Sequence, residues 1–295
     1  MKIFVNLIVI ICLSSCSGDA VNTETVASPV PTAPTAGHLG FYPNVAQPVS
    51  FSDVTSLVYQ ASIDKQFYGD SALQYVEYWA PTPDTVKENL PAIVFIHGGC
   101  WSNSYRINQS YPIATALALN GFHVWSVEYR STGDQGGGWP GTYHDVEQAL
   151  QFITGVADDY YSPRNLVVLG HSAGGHLALL AKSNLATQAK VVGLAAISDL
   201  ISYANESGGC NSLAASFMSG LPADIPEQYA LANPLLENLT DDAYLFAGEM
   251  DTIVNTRQAS ESGNPFELVA ETGHFDWLHP GTSSFSVLLN YLQSL

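Results

Sequence analysis

Positive charge is scarce in this 295-residue chain: 9 Lys and Arg stand against 27 Asp and Glu, and charged residues of both signs make up only 12% of it. An average soluble domain carries about 25%. A surface of one sign repels phosphate backbones and anionic headgroups, which excludes nucleic acid as a partner and disfavours polyanionic substrates. Cysteine is also rare, with 4 in the chain, and no C-x-x-C or H-E-x-x-H spacing occurs. No metal site and no cofactor are therefore expected. No internal repeat is present. The apolar run from Ile3 to Leu13 falls short of the ~20 residues that span a bilayer. Against these absences stand 46% hydrophobic and 11% aromatic residues, enough to pack the core of one large α/β domain or two small ones.

The N-terminus reads as an export signal. Lys2 supplies a minimal basic start, Ile3 to Leu13 the apolar segment, and Leu13-Ser14-Ser15-Cys16 a site resembling the bacterial lipobox, at which Cys16 becomes the lipid attachment residue. Ser17, rather than Asp, fits export to an outer membrane. From there to about Pro48 the chain is rich in Thr, Ala, Pro, Val and Ser, a composition that buries no core and favours a semi-rigid extended tether. The expected organisation is 1–15 signal peptide, 16–48 tether and 49–295 catalytic domain. The expected location is a membrane-tethered bacterial lipoprotein at the outer membrane or cell surface, or the periplasm if the lipobox is not used.

Chemistry enters near the middle. The run Asn165-Leu166-Val167-Val168-Leu169 reads as a buried strand, Gly170-His171-Ser172-Ala173-Gly174-Gly175 as a turn, and Leu177-Ala178-Leu179-Leu180-Ala181 as a helix. Gly-x-Ser-x-Gly in a strand–turn–helix setting is the pattern of a nucleophile elbow, which lifts the Ser172 hydroxyl above the sheet. Further strands are expected at Gln74–Trp79, Ala92–His97, Phe122–Tyr129, Val191–Ile197, Ala243–Phe246 and Phe266–Ala270. Helices are expected at Gln109–Asn120, Tyr143–Asp158, Gly174–Asn184 and Ser283–Leu295, with an irregular insertion from Asp199 to Asn238. Alternating strands and helices imply a mostly parallel sheet covered on both faces.

Ser172 needs a base, an acid to orient the base, and donors for an oxyanion. In the chain order that accompanies this elbow, Ser then Asp or Glu then His, the base lies after the last strand. His274 is closer to that strand end than His279 and is preferred. His38 lies in the tether, His123 opens a strand and His144 a helix. His97 and His171 suit structural roles, and His176 points into packing. After the strand Ala243–Phe246, Gly248-Glu249-Met250-Asp251 offers two acids, of which Asp251 is preferred and Glu249 is the alternative. Asp276 reads as a surface residue. Oxyanion donors are expected from the amides of Gly98, Gly99 and Ala173, with Cys100, Trp101 and His171 lining the substrate pocket. Once Cys12 leaves with the signal and Cys16 carries lipid, Cys100 and Cys210 remain. In an oxidising compartment they are expected to pair, tying the oxyanion loop to the insertion.

Taken together, His97-Gly98-Gly99-Cys100-Trp101, Val127-Glu128-Tyr129-Arg130, Trp139-Pro140-Gly141-Thr142-Tyr143-His144-Asp145-Val146, Gly170-His171-Ser172-Ala173-Gly174-Gly175-His176 and Gly273-His274-Phe275-Asp276 resemble α/β-hydrolase esterases. The likeness runs from about Tyr68 to the C-terminus and is strongest to the HGGxW branch, which holds kynurenine formamidase-like enzymes and small carboxylesterases. It implies an α/β-hydrolase fold and a cofactor-free serine esterase acting on small or aryl acyl esters through a Ser172–His274–Asp251 triad. The alternative is an arylformamidase cleaving an amide, and a third reading is a non-catalytic surface binding protein on the same scaffold.

Overall fold

A computed structural model describes residues 41–86, 89–156, 166–182, 189–236 and 243–295. The signal segment, Cys16, His38 and the tether up to residue 40 lie outside the described residues. Eight strands, β1 (Asp64–Phe67), β2 (Tyr75–Trp79), β3 (Ala92–Ile96), β4 (Val124–Glu128), β5 (Leu166–His171), β6 (Lys190–Leu194), β7 (Ala243–Gly248) and β8 (Phe266–Val269), form one sheet in the order β1-β2-β4-β3-β5-β6-β7-β8. Only β2 runs antiparallel to its neighbours; from β4 to β8 every pairing is parallel. Parallel strands need crossovers and are buried on both faces, which is why β3 reads as an unbroken apolar run.

The strands divide their side chains between two cores with the period of 2 that a pleated strand imposes. Along β3, Val94 and Ile96 face a cluster with Leu150 and Ile153 of α3 (Gly141–Val156) and Leu177 of α4 (Ala173–Lys182). Ile93 and Phe95 face the other side, against Leu117 of α2 (Tyr111–Leu119) and Leu288 of α9 (Ser283–Gln293). The centres of both layers are buried. All parallel strand ends therefore open onto one edge, where loops can gather without breaking the core.

Three expectations change. The strand β1 was not anticipated, because Asp64-Lys65-Gln66 is polar; it is an edge strand with alternating half-buried and exposed residues, held by its hairpin with β2. The insertion after β6 is helical rather than irregular, with α5 (Leu200–Asn205), α6 (Asn211–Met218) and α7 (Pro226–Leu231). Each is too short to show a period in the sequence, and α5 starts because the Asp199 side chain caps the amides of Ile201 and Ser202. The boundary placed at 48 also falls earlier. Tyr42 is buried and donates to the Val58 carbonyl at 2.8 Å, and Gln47 bonds Ser283 and Ser284 at the start of α9, so residues 42–48 belong to the domain.

Candidate active site

The strand β5 ends at His171, α4 begins at Ala173, and Ser172 alone makes the turn, with φ of 55°. A non-glycine residue there stores roughly 1–3 kcal/mol of strain that its surroundings must hold. Its amide donates to the Leu194 carbonyl at 2.9 Å, and its carbonyl accepts from the His176 amide at 3.1 Å. Glycine at 174 is required by approach: a Cβ there would run into the carbonyl oxygens of Ile96 and His97. The elbow is thus locked against β3 and β6, with Ser172 at the N-terminus of α4.

His274 follows β8, and its Nδ1 lies 2.8 Å from Asp251 Oδ2 on the loop after β7. Asp251 Oδ1 accepts the amides of Ile253 at 2.8 Å and Val254 at 2.9 Å. Burial pushes this carboxyl up, but the facing His274 and the two amides outweigh it and hold it below its ordinary value. An ionised Asp251 accepts a hydrogen bond from His274 Nδ1–H, which fixes the tautomer that leaves Nε2 as an acceptor. Glu249 is exposed. His279 is buried and accepts the Gly281 amide on Nδ1 at 3.1 Å. The structure therefore sets Asp251, not Glu249, against His274.

Gly98 stands beside Ser172: a Cβ on it would lie 2.8 Å from the His171 carbonyl oxygen and 3.1 Å from Ser172 Cβ. Gly99, Cys100 and Trp101 follow with φ of 111°, 54° and 56°, three consecutive left-handed residues. Several contacts fix this turn. Cys100 is disulfide-bonded to Cys210, with Cα atoms 5.3 Å apart, within ordinary disulfide reach. Trp101 stacks on Phe217 at 5.0 Å and donates from Nε1 to His176 Nδ1 at 3.2 Å. Cys100, Trp101 and His171, expected to line a pocket, are all buried, as are Ser172 and His274. His171 donates from Nε2 to the His274 carbonyl at 2.9 Å. Burial, followed by the neighbouring His274, pushes its pKa down to about 3, so this imidazole is neutral. Asp276, expected at the surface, is wholly buried.

A family model described as BD-FAE matches residues 81–263. The chain belongs to the BD-FAE family. Esterase LipC of Mycobacterium tuberculosis is 33% identical over 115 residues, 39% of this chain and 28% of that protein. Kynurenine formamidase of Salmo salar is 27% identical over 115 residues, 38% of this chain and 36% of that one. The matches therefore span little more than a third of those relatives' length at most. A truncated form of carbohydrate esterase from gut microbiota superposes with a TM-score of 0.65 at 20% identity, covering 80% of this chain and 96% of that one. With the strand order above, this makes the fold an α/β-hydrolase fold.

Several residues of this BD-FAE chain have structural roles that the motifs do not assign. Glu128 is a buried carboxylate whose oxygens accept the amides of Ile107 at 2.9 Å and Tyr129 at 3.1 Å, with His97 Nε2 3.4 Å away. His97 Nδ1 lies 2.8 Å from the Gly98 carbonyl, which also accepts from Gln109 Nε2 at 3.2 Å. Tyr129 stacks on His97 at 4.3 Å. Together they hold the Gly98 peptide. The available signal was Glu128 itself, an acid at the end of an apolar strand. Phe51, Tyr105 and Phe275, all half-buried, form an aromatic wall beside Gly99 and His274, with Phe51 5.5 Å from Tyr105 and 5.4 Å from Phe275. Among the described residues no group of three His, Cys, Asp or Glu converges as metal ligands do.

Proposed function

We propose that this protein is a serine esterase that cleaves small or aryl acyl esters through an acyl-enzyme. The observation that carries the reading is the 2.8 Å His274–Asp251 bond, made between two loops at the sheet edge where Ser172 occupies a left-handed turn. Ser172 Oγ attacks the ester carbonyl carbon while His274 Nε2 takes its proton. The amides of Gly98, Gly99 and Ala173 receive the oxyanion, and His274 returns the proton to the departing alcohol. Water then repeats the sequence on the acyl-enzyme. The aromatic wall of Phe51, Tyr105 and Phe275 supports an acyl group that is small or flat. In the same reading, Cys16 carries the lipid that anchors an exported protein to a membrane.

A fluorophosphonate should label wild-type protein at Ser172 and leave Ser172→Ala unmarked. Turnover of p-nitrophenyl acetate and aryl esters should exceed that of N-formylkynurenine. Preferential formamide turnover would install the arylformamidase reading, which the partial likeness to a kynurenine formamidase favours. An unlabelled wild-type enzyme that hydrolyses nothing in the panel would leave only a binding role.

A further inference from the structure

His274 sits on a loop whose position is set from three sides. Asp251 holds the ring, and His171 holds the backbone carbonyl. The third support is Asp276. It is wholly buried, and its two carboxylate oxygens accept backbone amides from different segments: Oδ2 takes Gly273 N–H at 2.5 Å, and Oδ1 takes Val49 N–H at 2.7 Å. No Lys or Arg ion pair to it occurs among the described residues. Burying a carboxylate on two amides alone is costly and demands good geometry. The bond it makes is between the residue preceding His274 and the arm that leads into the domain.

That arm is itself clamped along its length. Gln47 Oε1 accepts from the Ser283 amide and hydroxyl, both at 2.7 Å, and its Nε2 donates to Ser284 Oγ at 2.8 Å and to the Glu271 carbonyl at 3.2 Å. The Val45 amide donates to the Gly281 carbonyl at 3.0 Å. Pro48 lies against Gly273 so closely that a Cβ on the glycine would come within 2.6 Å of it. Beyond the arm, Phe51 packs on Phe275. Thus a segment that composition assigns to a tether encloses the His274 loop from outside, before and after the histidine.

We propose that Asp276 and the arm 44–49 are positioning elements of the hydrolytic site: Asp276 ties the arm to the His274 loop and so fixes the imidazole between Asp251 and Ser172. This rests on the serine esterase reading above. Proton transfer needs the ring within a fraction of an ångström of its productive place, and a displacement of about 1 Å costs ~10²-fold. Asn at 276 offers one acceptor where two amides require two, so one amide is left facing an NH₂ group.

The test uses the full chain. In Asp276→Asn, kcat for p-nitrophenyl acetate should fall ~10–100-fold with KM within about twofold, in protein that still melts cooperatively. The far-downfield proton resonance of the His274–Asp251 hydrogen bond should broaden or vanish, which a role in stability alone would not produce. Gln47→Ala, which frees the arm while leaving the Asp276 and Asp251 bonds of the loop in place and giving up, on the loop, only the contacts to Glu271 and Thr272, should lower kcat by a smaller factor, about 2–5-fold, in the same direction. Should Asp276→Asn not fold, Gln47→Ala decides: an unchanged kcat and resonance overturn the proposal. Folded Asp276→Asn with wild-type kcat and an intact resonance overturns it as well. Absence of any wild-type turnover or fluorophosphonate labelling instead strikes the esterase reading beneath it.

Discussion

Ser172 and the proposed oxyanion loop follow two neighbouring strands, β5 and β3, and their backbone is strained: Ser172, Cys100 and Trp101 all have positive φ. What holds them is covalent or deeply buried, namely the Cys100–Cys210 bond, the Trp101–Phe217 stack and the Glu128 network. His274 is the opposite case. The strained residue on its approach is Glu271, and its supports are hydrogen bonds from Asp251, His171 and Asp276, brought from well-separated parts of the chain. Strained segments persist only where their surroundings over-determine them. A loop held by a few hydrogen bonds opens at lower cost. Under the proposed mechanism, the half holding the Ser172 nucleophile is therefore built for rigidity, and the half holding the His274 base for correct registration of one ring. His171, next to Ser172 in sequence and bonded to the His274 carbonyl, joins the two.

Deleting chemistry from either half should cost the most. Ser172→Ala and His274→Ala are each expected to lower kcat by at least ~10³. Asp251→Asn is expected to cost ~10²–10⁴ through a mis-set imidazole tautomer, while Glu249→Gln, on an exposed side chain, should stay within about twofold. Steady-state turnover checks all four. Full activity in Asp251→Asn together with loss in Glu249→Gln would move the acid to Glu249.

Smaller changes separate rigidity from registration. Gly98→Ala places a methyl 2.8 Å from the His171 carbonyl, so the loop must back away from Ser172, and kcat should drop ~10–100-fold. Gly209→Ala, where a Cβ would meet nothing within 4 Å, is the neutral control. The double replacement of Cys100 and Cys210 by Ser should lower stability by about 2–4 kcal/mol and kcat by less than about tenfold, because the stacked Trp101 and the Glu128 network remain. Denaturant midpoints and turnover, with and without reductant, measure both. A kcat that survives Gly98→Ala would show that the nucleophile half yields more readily than its strain suggests.

How much of this was legible in the sequence follows the same division. The elbow and the oxyanion glycines are local signals: small residues at fixed offsets between an apolar strand and an Ala/Leu helix, demanded by backbone approach. The base half is not local. Nothing in Gly273-His274-Phe275-Asp276 tells that Asp276 turns inward to bond Val49, more than two hundred residues away. Composition argued for a free tether up to Pro48, because the arm docks through backbone amides and Gln47 rather than an apolar stripe. Trp101 and His171 bond to His176 and to the His274 carbonyl, partners that no local spacing announces.

The smallest effect concerns how acid reaches the nucleophile half. His176 stands on α4, donating from Nε2 to the Ala232 carbonyl at 2.8 Å and accepting from Trp101 Nε1 on Nδ1 at 3.2 Å. Burial pushes its pKa down to about 4, against the Ala232 carbonyl, which raises it; His171 is pushed to about 3. In the unfolded chain both return to about 6.5. Below that pH the unfolded state binds protons that the folded state refuses, so stability falls as pH drops from about 6.5 toward 4. The loss by about pH 5 is roughly 1–2 kcal/mol per histidine. Asp251, whose pKa is lowered, adds a loss of the same sign only at lower pH, as its carboxylate becomes protonated. His176→Gln removes one histidine from this balance, which His123 and His279 also enter because burial lowers their pKa, and its urea midpoint should change less than the wild type's between about pH 7 and 5. Protonation at Nδ1 also removes the acceptor that holds Trp101 in the oxyanion loop. Acid should accordingly speed amide exchange around Cys100 and Trp101 before it does so around His274. A His176→Gln curve that overlays the wild type would mean that folding leaves the pKa of this imidazole at its unfolded value, and the half of the site around Ser172 would then owe none of its acid sensitivity to it.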